Sequence, residues 1–466
     1  MSLELVISKN TNNEDVYSFS GRSYNITKEK NSLLNPYNKQ VYNYGFKLQL
    51  LPNEEQITNF NQQIGNSRFV RNTYLNDRIK FYEDNKTILS VSEYKKTYLP
   101  KLKEENEFLK LSDKFALENA LECVDNAYNK FYENVKTHKK VGKYKKGRKH
   151  NNVYGFPQFV SKYKPNGNRY TTKFTNNNIE LLYIEKLPYI KIPKVGKVRY
   201  IMPSFTKNQI SNNKDGLENV LLPNSRITSI TISKEGNDYF VSLQLETIID
   251  LIKPINSIFK SEIYAMDMGI KYFGVYGNQD VSNFVSNPRW IKVHQKRLRR
   301  LQKSLSRKQY DVSTHQGSKN YEKIKLKINK EHRKIKNQRN DFLHKLSRKI
   351  VNECNVFVCE NLNIKGMVSN HKLAKEISSC GWNKFLTYVK YKLEKKGGLF
   401  LQVDKFYASS KLCHKCGYKY NELKLKTRDW ICPICNSNHN RDENAKFNLL
   451  NEGIRLLEKD FNIIVI

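Results

Sequence analysis

The sequence lacks any run of 18 consecutive apolar residues, which excludes an ordinary membrane-spanning helix. Its start, MSLELVISKNTNNEDV, lacks a basic region followed by an apolar one, so no secretory signal is expected. Acidic residues are in short supply: 45 Asp and Glu face 82 Lys and Arg, a formal net charge of +37 over 466 residues. So large an imbalance opposes compaction by self-repulsion unless a polyanion neutralises it. An anionic membrane is one such partner, but the absence of an apolar span speaks against it. Nucleic acid fits better, because each phosphate contacted releases condensed counterions. A cytoplasmic nucleic-acid binder is expected. Cysteine is sparse too, with eight in all. Cys123, Cys354, Cys359 and Cys380 are scattered among apolar or helical stretches and read as core or incidental residues. The other four are clustered, and in a cytosolic chain clustering favours metal over disulfide.

The length allows about two to four domains. Residues 1–40 are polar, without sustained periodicity, and read as a flexible extension. VYNYGFKLQL (41–50) alternates like a strand, and Pro52-Asn53-Glu54-Glu55 opens a helix. Ile57, Phe60, Ile64 and Val70 follow at near-helical spacing, and helical character lasts to about residue 136. KTHKKVGKYKKGRKH (136–150) holds eight Lys or Arg and no acid, as a phosphate-contacting loop would. Short strand-like runs fill 168–247, clearest in ITSITIS-KEGND-YFVSLQL (227–245), a hairpin. Strands on both sides of a helical stretch predict one β-barrel, 41–52 and 150–250, interrupted by a helical insertion, 53–149. Residues 291–349 hold 20 Lys or Arg and four acids, with a break near 311–318. They predict a basic helical hairpin suited to gripping a duplex backbone.

Three acids stand where chemistry is expected. Asp267 ends an apolar strand in IYAMDMGIKYFGVYG (263–277), Glu360 ends another in NVFVCENL (355–362), and Asp442 opens the helix RDENAKFNLLNEGIRLLEK (441–459). Two strand ends and a helix start can converge in a mixed α/β sheet. Carboxylates packed so closely repel unless divalent cations neutralise them. Mg²⁺ suits oxygen ligands, and two such ions can activate water and stabilise the leaving oxygen in phosphodiester hydrolysis. A second metal is expected at Cys413-x2-Cys416 and Cys432-x2-Cys435, whose four thiolates suit one tetrahedral Zn²⁺. Gly417 permits the tight turn after the first pair. His414 and His439 lie nearby as substitutes, but four Cys complete the shell.

The blocks YAMDMGIKYFGVYG, RNDFLHKLSRKIV (339–351), CENLNIKGM (359–367), YASSKLCHKCG (407–417) and RDENAKFNLL (441–450) together resemble the TnpB family of insertion-sequence proteins, relatives of the type V CRISPR nucleases. SRFVRNTYLNDR (67–78) and GFPQFVSKYK (155–164) resemble its recognition and wedge portions. The resemblance implies a multidomain α/β chain with an RNase H-like (RuvC) nuclease core, 251–410 and 437–466. A zinc-ribbon module for target nucleic acid is inserted at 411–436. The barrel becomes a wedge domain and the helical insertion a recognition domain. Asp267, Glu360 and Asp442 take the roles of metal-binding catalytic acids, and a guide RNA and a double-stranded DNA target are the partners. A monomer, associated with the bacterial nucleoid, is implied by the resemblance alone. Two positions depart from the family pattern: Asn361 follows Glu360, and Asn440 precedes Arg441, where Asp is common.

Three alternatives stand beside an RNA-guided endonuclease. A miniature type V CRISPR effector would share the chemistry and differ in genomic context. A nuclease-dead RNA-guided repressor would have lost core acids, and all three are present. A transposase joining DNA ends by tyrosine chemistry would need a His-hydrophobic-His metal motif, which is absent.

Overall fold

The computed structural model of the chain describes residues 4–9, 15–20, 26–139, 153–202, 221–222, 224–313, 316–368, 374–404, 407–424 and 427–466. It divides the chain into two units, Met1–Leu251 and Ile252–Ile466. At the N-terminus β1 (Glu4–Lys9) pairs antiparallel with β2 (Asp15–Ser20), and α1 (Ile26–Leu34) follows. This corrects the expectation of a flexible extension over 1–40. The cause is long-range: Lys30 is buried and donates to Glu246 at 2.7 Å, a residue 216 positions away. Arg226 reaches the same carboxylate at 2.6 Å. Such a buried ion pair leaves no trace in local periodicity.

The strand expected over 41–50 is β3 (Lys39–Leu51). It joins β4 (Arg169–Lys173), β5 (Glu180–Ile184), β6 (Leu187–Ile192), β7 (Gly196–Ile201), β8 (Arg226–Glu235) and β9 (Asp238–Asp250). Their order is β4-β8-β9-β3-β7-β6-β5, every neighbour antiparallel. The expected hairpin is β8–β9. Strands from before and after the helices therefore share one sheet. Among the described residues β4 and β5 end the order and do not pair with each other, so these strands form an open sheet.

Between β3 and β4, α2 (Glu54–Asn85) starts at a capping box: Asn53 accepts from the Gln56 amide at 2.8 Å, and Gln56 accepts from the Asn53 amide at 3.1 Å. The predicted stripe divides between two cores. Phe60 and Ile64 pack with the sheet's Leu48 and Val241, whereas Val70 packs with Leu117 and Leu121 of α3 (Lys114–Lys136). Asn72, in SRFVRNTYLNDR, accepts from the Val160 amide at 2.9 Å and donates to its carbonyl at 3.0 Å, tying that motif to GFPQFVSKYK. Residues 140–150 of the basic run lie outside the described residues.

In the second unit β10 (Ile263–Asp267), β11 (Tyr272–Gly277), β12 (Asn283–Ser286), β13 (Val356–Glu360) and β14 (Leu399–Val403) form a sheet ordered β12-β11-β10-β13-β14. β10, β13 and β14 are parallel, and β11 runs back against β10. Four buried residues precede the acid in both β10 and β13, as strands covered on both faces require. Tyr264, Met266, Phe357 and Cys359 face one core, built with α5 (Lys319–Glu353) and α6 (Trp382–Lys396). Ile263, Ala265, Val356 and Val358 face the other, with Leu449, Leu450 and Leu457 of α7 (Arg441–Asp460). A Cβ at Gly453 would stand 2.5 Å from Val358 Cγ2, so the absence of a side chain lets α7 seat on β13. The basic segment is indeed a hairpin of α4 (Trp290–Ser306) and α5, closed by Trp290, Leu298, Ile328 and Ile335. No described helix is long and apolar enough to cross a membrane.

Candidate functional site

The alternation of β10 and β13 decides where the acids go. Side chains two apart share a face, so Asp267 follows Ile263 and Ala265, and Glu360 follows Val356 and Val358, onto the side covered by α7. The two strands are parallel neighbours with Met266 opposite Cys359, which puts both acids at the same end, one strand spacing apart. Asp442 is in the first turn of α7. Its carboxylate is held by Arg428, whose Nη1 lies 2.9 Å and 3.3 Å from the two oxygens.

The cluster is electrostatically strained. Asp267 is pushed up to about 7, first by desolvation and then by the like charges of Asp442 and Glu360, against smaller opposing effects of Arg441 and Arg428. Burial raises Glu360 as well. The set is all oxygen and suits Mg²⁺, and the repulsion is what a cation would relieve. Among the described residues, four thiols form the one His/Cys/Asp/Glu group whose ligand atoms all lie within 4.8 Å of one another, and the three acids are set wider than that.

A pH dependence follows. A carboxyl whose folded value lies above its unfolded value, about 3.9, binds its proton more tightly when folded. Its contribution to stability is complete below the unfolded value and is lost as pH rises through about 7. With Mg²⁺ omitted, Asp267→Asn should therefore raise the melting temperature more at pH 8 than at pH 5. An equal gain at both pH values would show that Asp267 carries no such strain.

The thiol cluster is built from two similar knuckles. The Gly417 amide donates to the Cys413 carbonyl at 2.8 Å, and the Asn436 amide donates to that of Cys432 at 2.9 Å. Gly417 (φ 75°) and Asn436 (φ 56°) both take the left-handed conformation that closes the turn. Cys413 and Cys435 sulfurs lie 3.5 Å apart, and those of Cys416 and Cys432 3.6 Å. A tetrahedron with Zn–S of about 2.3 Å has edges of about 3.8 Å, so the four thiols fit zinc. The thiols act on one another, and a hydrogen bond with the Ser437 hydroxyl pulls Cys435 down to about 6, while burial raises Cys413. His439 is buried with Nε2 3.1 Å from Cys413 Sγ, beside the shell as a partner to one ligand. Trp430, Leu423 and Tyr420 pack beneath.

β15 (Asp429–Ile431) and β16 (Asn438–Asn440) pair and lead from this cluster into α7. Asn440, a departure from the family pattern, caps α7 by accepting from the Asp442 and Glu443 amides at 3.2 and 3.3 Å. Its Nδ2 also donates to Asp429 at 3.0 Å, which an aspartate could not do. Sequence reasoning missed Arg428, Asn436 and two buried asparagines of α7, Asn444 and Asn448. The signal available for the last pair was two amides at i, i+4, sharing one face of α7.

Three family profiles match in succession: a "Helix-turn-helix domain" of OrfB proteins of the IS605 type over 42–87, a "Probable transposase" of that type over 260–371, and a "Cas12f1-like, TNB domain" over 382–449. Over 42–87 the structure has most of β3 and one continuous helix, α2. A Streptomyces pristinaespiralis protein named "Putative RNA-guided DNA endonuclease" is 27% identical over 419 residues, 88% of this chain and 89% of its own. One from Escherichia coli (strain K12), named "Putative RNA-guided DNA endonuclease InsQ", is 24% identical over 429 residues, 88% and 92% of the two chains. Among solved structures, a Cas12f1-sgRNA-target DNA complex aligns with a TM-score of 0.32 at 14% identity, covering 88% of this chain and 100% of that one. That alignment is too loose to carry an argument.

Proposed function

We propose that this chain is an RNA-guided, metal-dependent DNA endonuclease of the TnpB type, as its matches to the IS605 OrfB profile over 260–371 and to the Cas12f1-like TNB profile over 382–449 suggest. What supports the reading is that Asp267 and Glu360 end neighbouring parallel strands on the side covered by α7, whose first turn carries Asp442, near enough for both other acids to act on the Asp267 carboxyl. The names of the two bacterial relatives, which match over most of their length, point the same way.

In this reading the three acids hold Mg²⁺, which when bound activates water and stabilises the leaving oxygen of the phosphodiester. Asn440 fixes the first turn of α7, and Arg428 orients the carboxylate of Asp442. Burial of Asp267 beside two like charges makes the pocket favour a cation over a proton as pH rises. The sheet of the second unit, 251–410 and 437–466, is read as a RuvC core of RNase H type, and 411–436 as its zinc ribbon. The seven-stranded sheet, 41–52 and 150–250, is read as the wedge domain, and 53–149 as the recognition domain. A guide RNA neutralises much of the +37 charge, and the protein reads only a short DNA motif beside the target. A monomer working at the nucleoid of a bacterial cytoplasm completes the reading.

Sequencing the RNA that co-purifies with the protein from its native locus tests it. A discrete species encoded beside the gene is expected. Unselected cellular fragments alone would contradict guidance. A species encoded by a CRISPR array would move the chain to the effector class with its chemistry intact.

A further inference from the structure

Between the thiol cluster and Asp442 lies a set of contacts that neither site needs for its own ligands. Asn444, two residues after the acid, is 1% exposed. Its Oδ1 accepts from the His414 amide at 3.1 Å and lies 3.0 Å from His414 Nδ1, while its Nδ2 donates to the Leu412 carbonyl at 2.6 Å. One turn on, the buried Asn448 donates to the carbonyls of Ser409 and Leu412 at 2.8 and 2.7 Å. Both amides therefore grip the backbone around Cys413, the first thiol. From the other side Arg441 donates through its amide to the Arg428 carbonyl at 2.7 Å and through Nη1 to that of Lys424 at 3.1 Å. The first two turns of α7 are thus held to both halves of the zinc module.

Packing alone does not ask for this. Leucines on the other side of the helix already fasten it to the sheet, and a buried amide costs free energy unless its partners are in place. The partners here are backbone groups of the knuckle that carries Cys413 and of the residues leading into it. We propose that Asn444, assisted by Asn448, is a positioning residue that couples zinc occupancy to the placement of Asp442, so that loss of zinc weakens divalent-ion binding at the acids. The proposal rests on reading Asp442 as a metal-binding acid. With zinc bound, the Leu412–His414 backbone is rigid, both amides are satisfied, and the start of α7 is fixed over the ends of β10 and β13. With zinc gone the knuckle opens, the amides lose their partners, and the first turn is held by Asn440 and Arg428, which belong to the same loosened module.

The test uses the full chain with its guide RNA. Asn444→Ala should keep one zinc per chain and bind RNA normally. Its half-saturating Mg²⁺ for DNA cleavage should rise about tenfold, the size usual for removal of an outer-shell partner. The rate at saturating metal should fall by much less. In hydrogen exchange, which needs no cleavage, the amides of Asp442 and Glu443 should exchange faster in the variant. Zinc withdrawal by a thiol-directed mercurial should do the same to the unaltered protein and add little to the variant, because the two changes break one chain of contacts. Asn448→Ala carries the same expectations should Asn444→Ala not hold zinc. Unchanged exchange and Mg²⁺ requirement in a zinc-loaded variant, or effects that add to those of zinc withdrawal, would overturn the coupling. Failure of the nuclease reading would look different: unaltered protein would cut nothing at any Mg²⁺ concentration, and the exchange comparison would still decide the coupling.

Discussion

Asp267→Ala, Glu360→Ala and Asp442→Ala should each stop DNA cleavage while guide RNA stays bound. The expected loss is large because each substitution removes a carboxylate from the proposed cation site rather than a contact from a surface. Metal stabilisation of the transition state is worth several kcal/mol, so a loss of about a thousandfold or more is expected from any one change. RNA binding rests instead on charge spread along the chain, 82 Lys and Arg in all, and deleting one acid from a +37 surface does not weaken it. Omitting Mg²⁺ from the unaltered complex should likewise halt cutting without releasing RNA. The measurement is a cleavage time course beside an RNA-binding titration for each variant. Near-normal cutting by one of them would remove that residue from the site. Parallel loss of RNA binding would show that the substitution acts through folding.

Cys413→Ser and Cys432→Ser should abolish tight zinc binding and unfold the module around it. Structural zinc in isolated fingers contributes about 10–16 kcal/mol to folding, and a small module has little else to stand on. Here its apolar core is Leu423, Trp430 and Tyr420 packed against the cysteines themselves. Metal analysis should find one zinc per chain in the unaltered protein and close to none in either variant. Limited proteolysis should then open the chain between 411 and 440. A zinc-free protein that still cuts DNA and resists protease there would sink the four-thiolate site.

Much of this arrangement was legible in the chain because it is written locally. An apolar run that stops at an acid marks a buried strand, and two such runs placed Asp267 and Glu360 at strand ends. Period-two alternation then puts both on one face once the strands are known to be parallel neighbours. Paired Cys-x2-Cys spacing gave the thiol cluster outright. What escaped notice depends on partners far away in sequence. Lys30 is an unremarkable lysine until Glu246 meets it in a buried pair, so the segment that holds β1, β2 and α1 looked like an extension. Arg428 sits in a loop whose composition says nothing of Asp442. Beyond their i, i+4 spacing, nothing in the local sequence singles out Asn444 and Asn448, which are buried against backbone carbonyls that the folded knuckle presents. Asn436 does for the second knuckle what Gly417 does for the first, and asparagine is the other residue that tolerates that conformation.

Guidance by RNA is the claim that separates this protein from an ordinary basic nuclease, and one cleavage experiment tests it most directly. A defined DNA duplex with a permissive flanking motif is offered to the protein stripped of RNA, and then to the same protein with a complementary guide. Without RNA, weak, sequence-independent binding and no defined cut are expected, because in this reading sequence recognition is delegated to the guide. With the guide, a single defined cut should appear, move when the guide is reassigned, and suffer more from mismatches near the flanking motif than from distant ones. Equal, sequence-defined cutting with and without RNA would contradict guidance and leave a metal-dependent nuclease in its place.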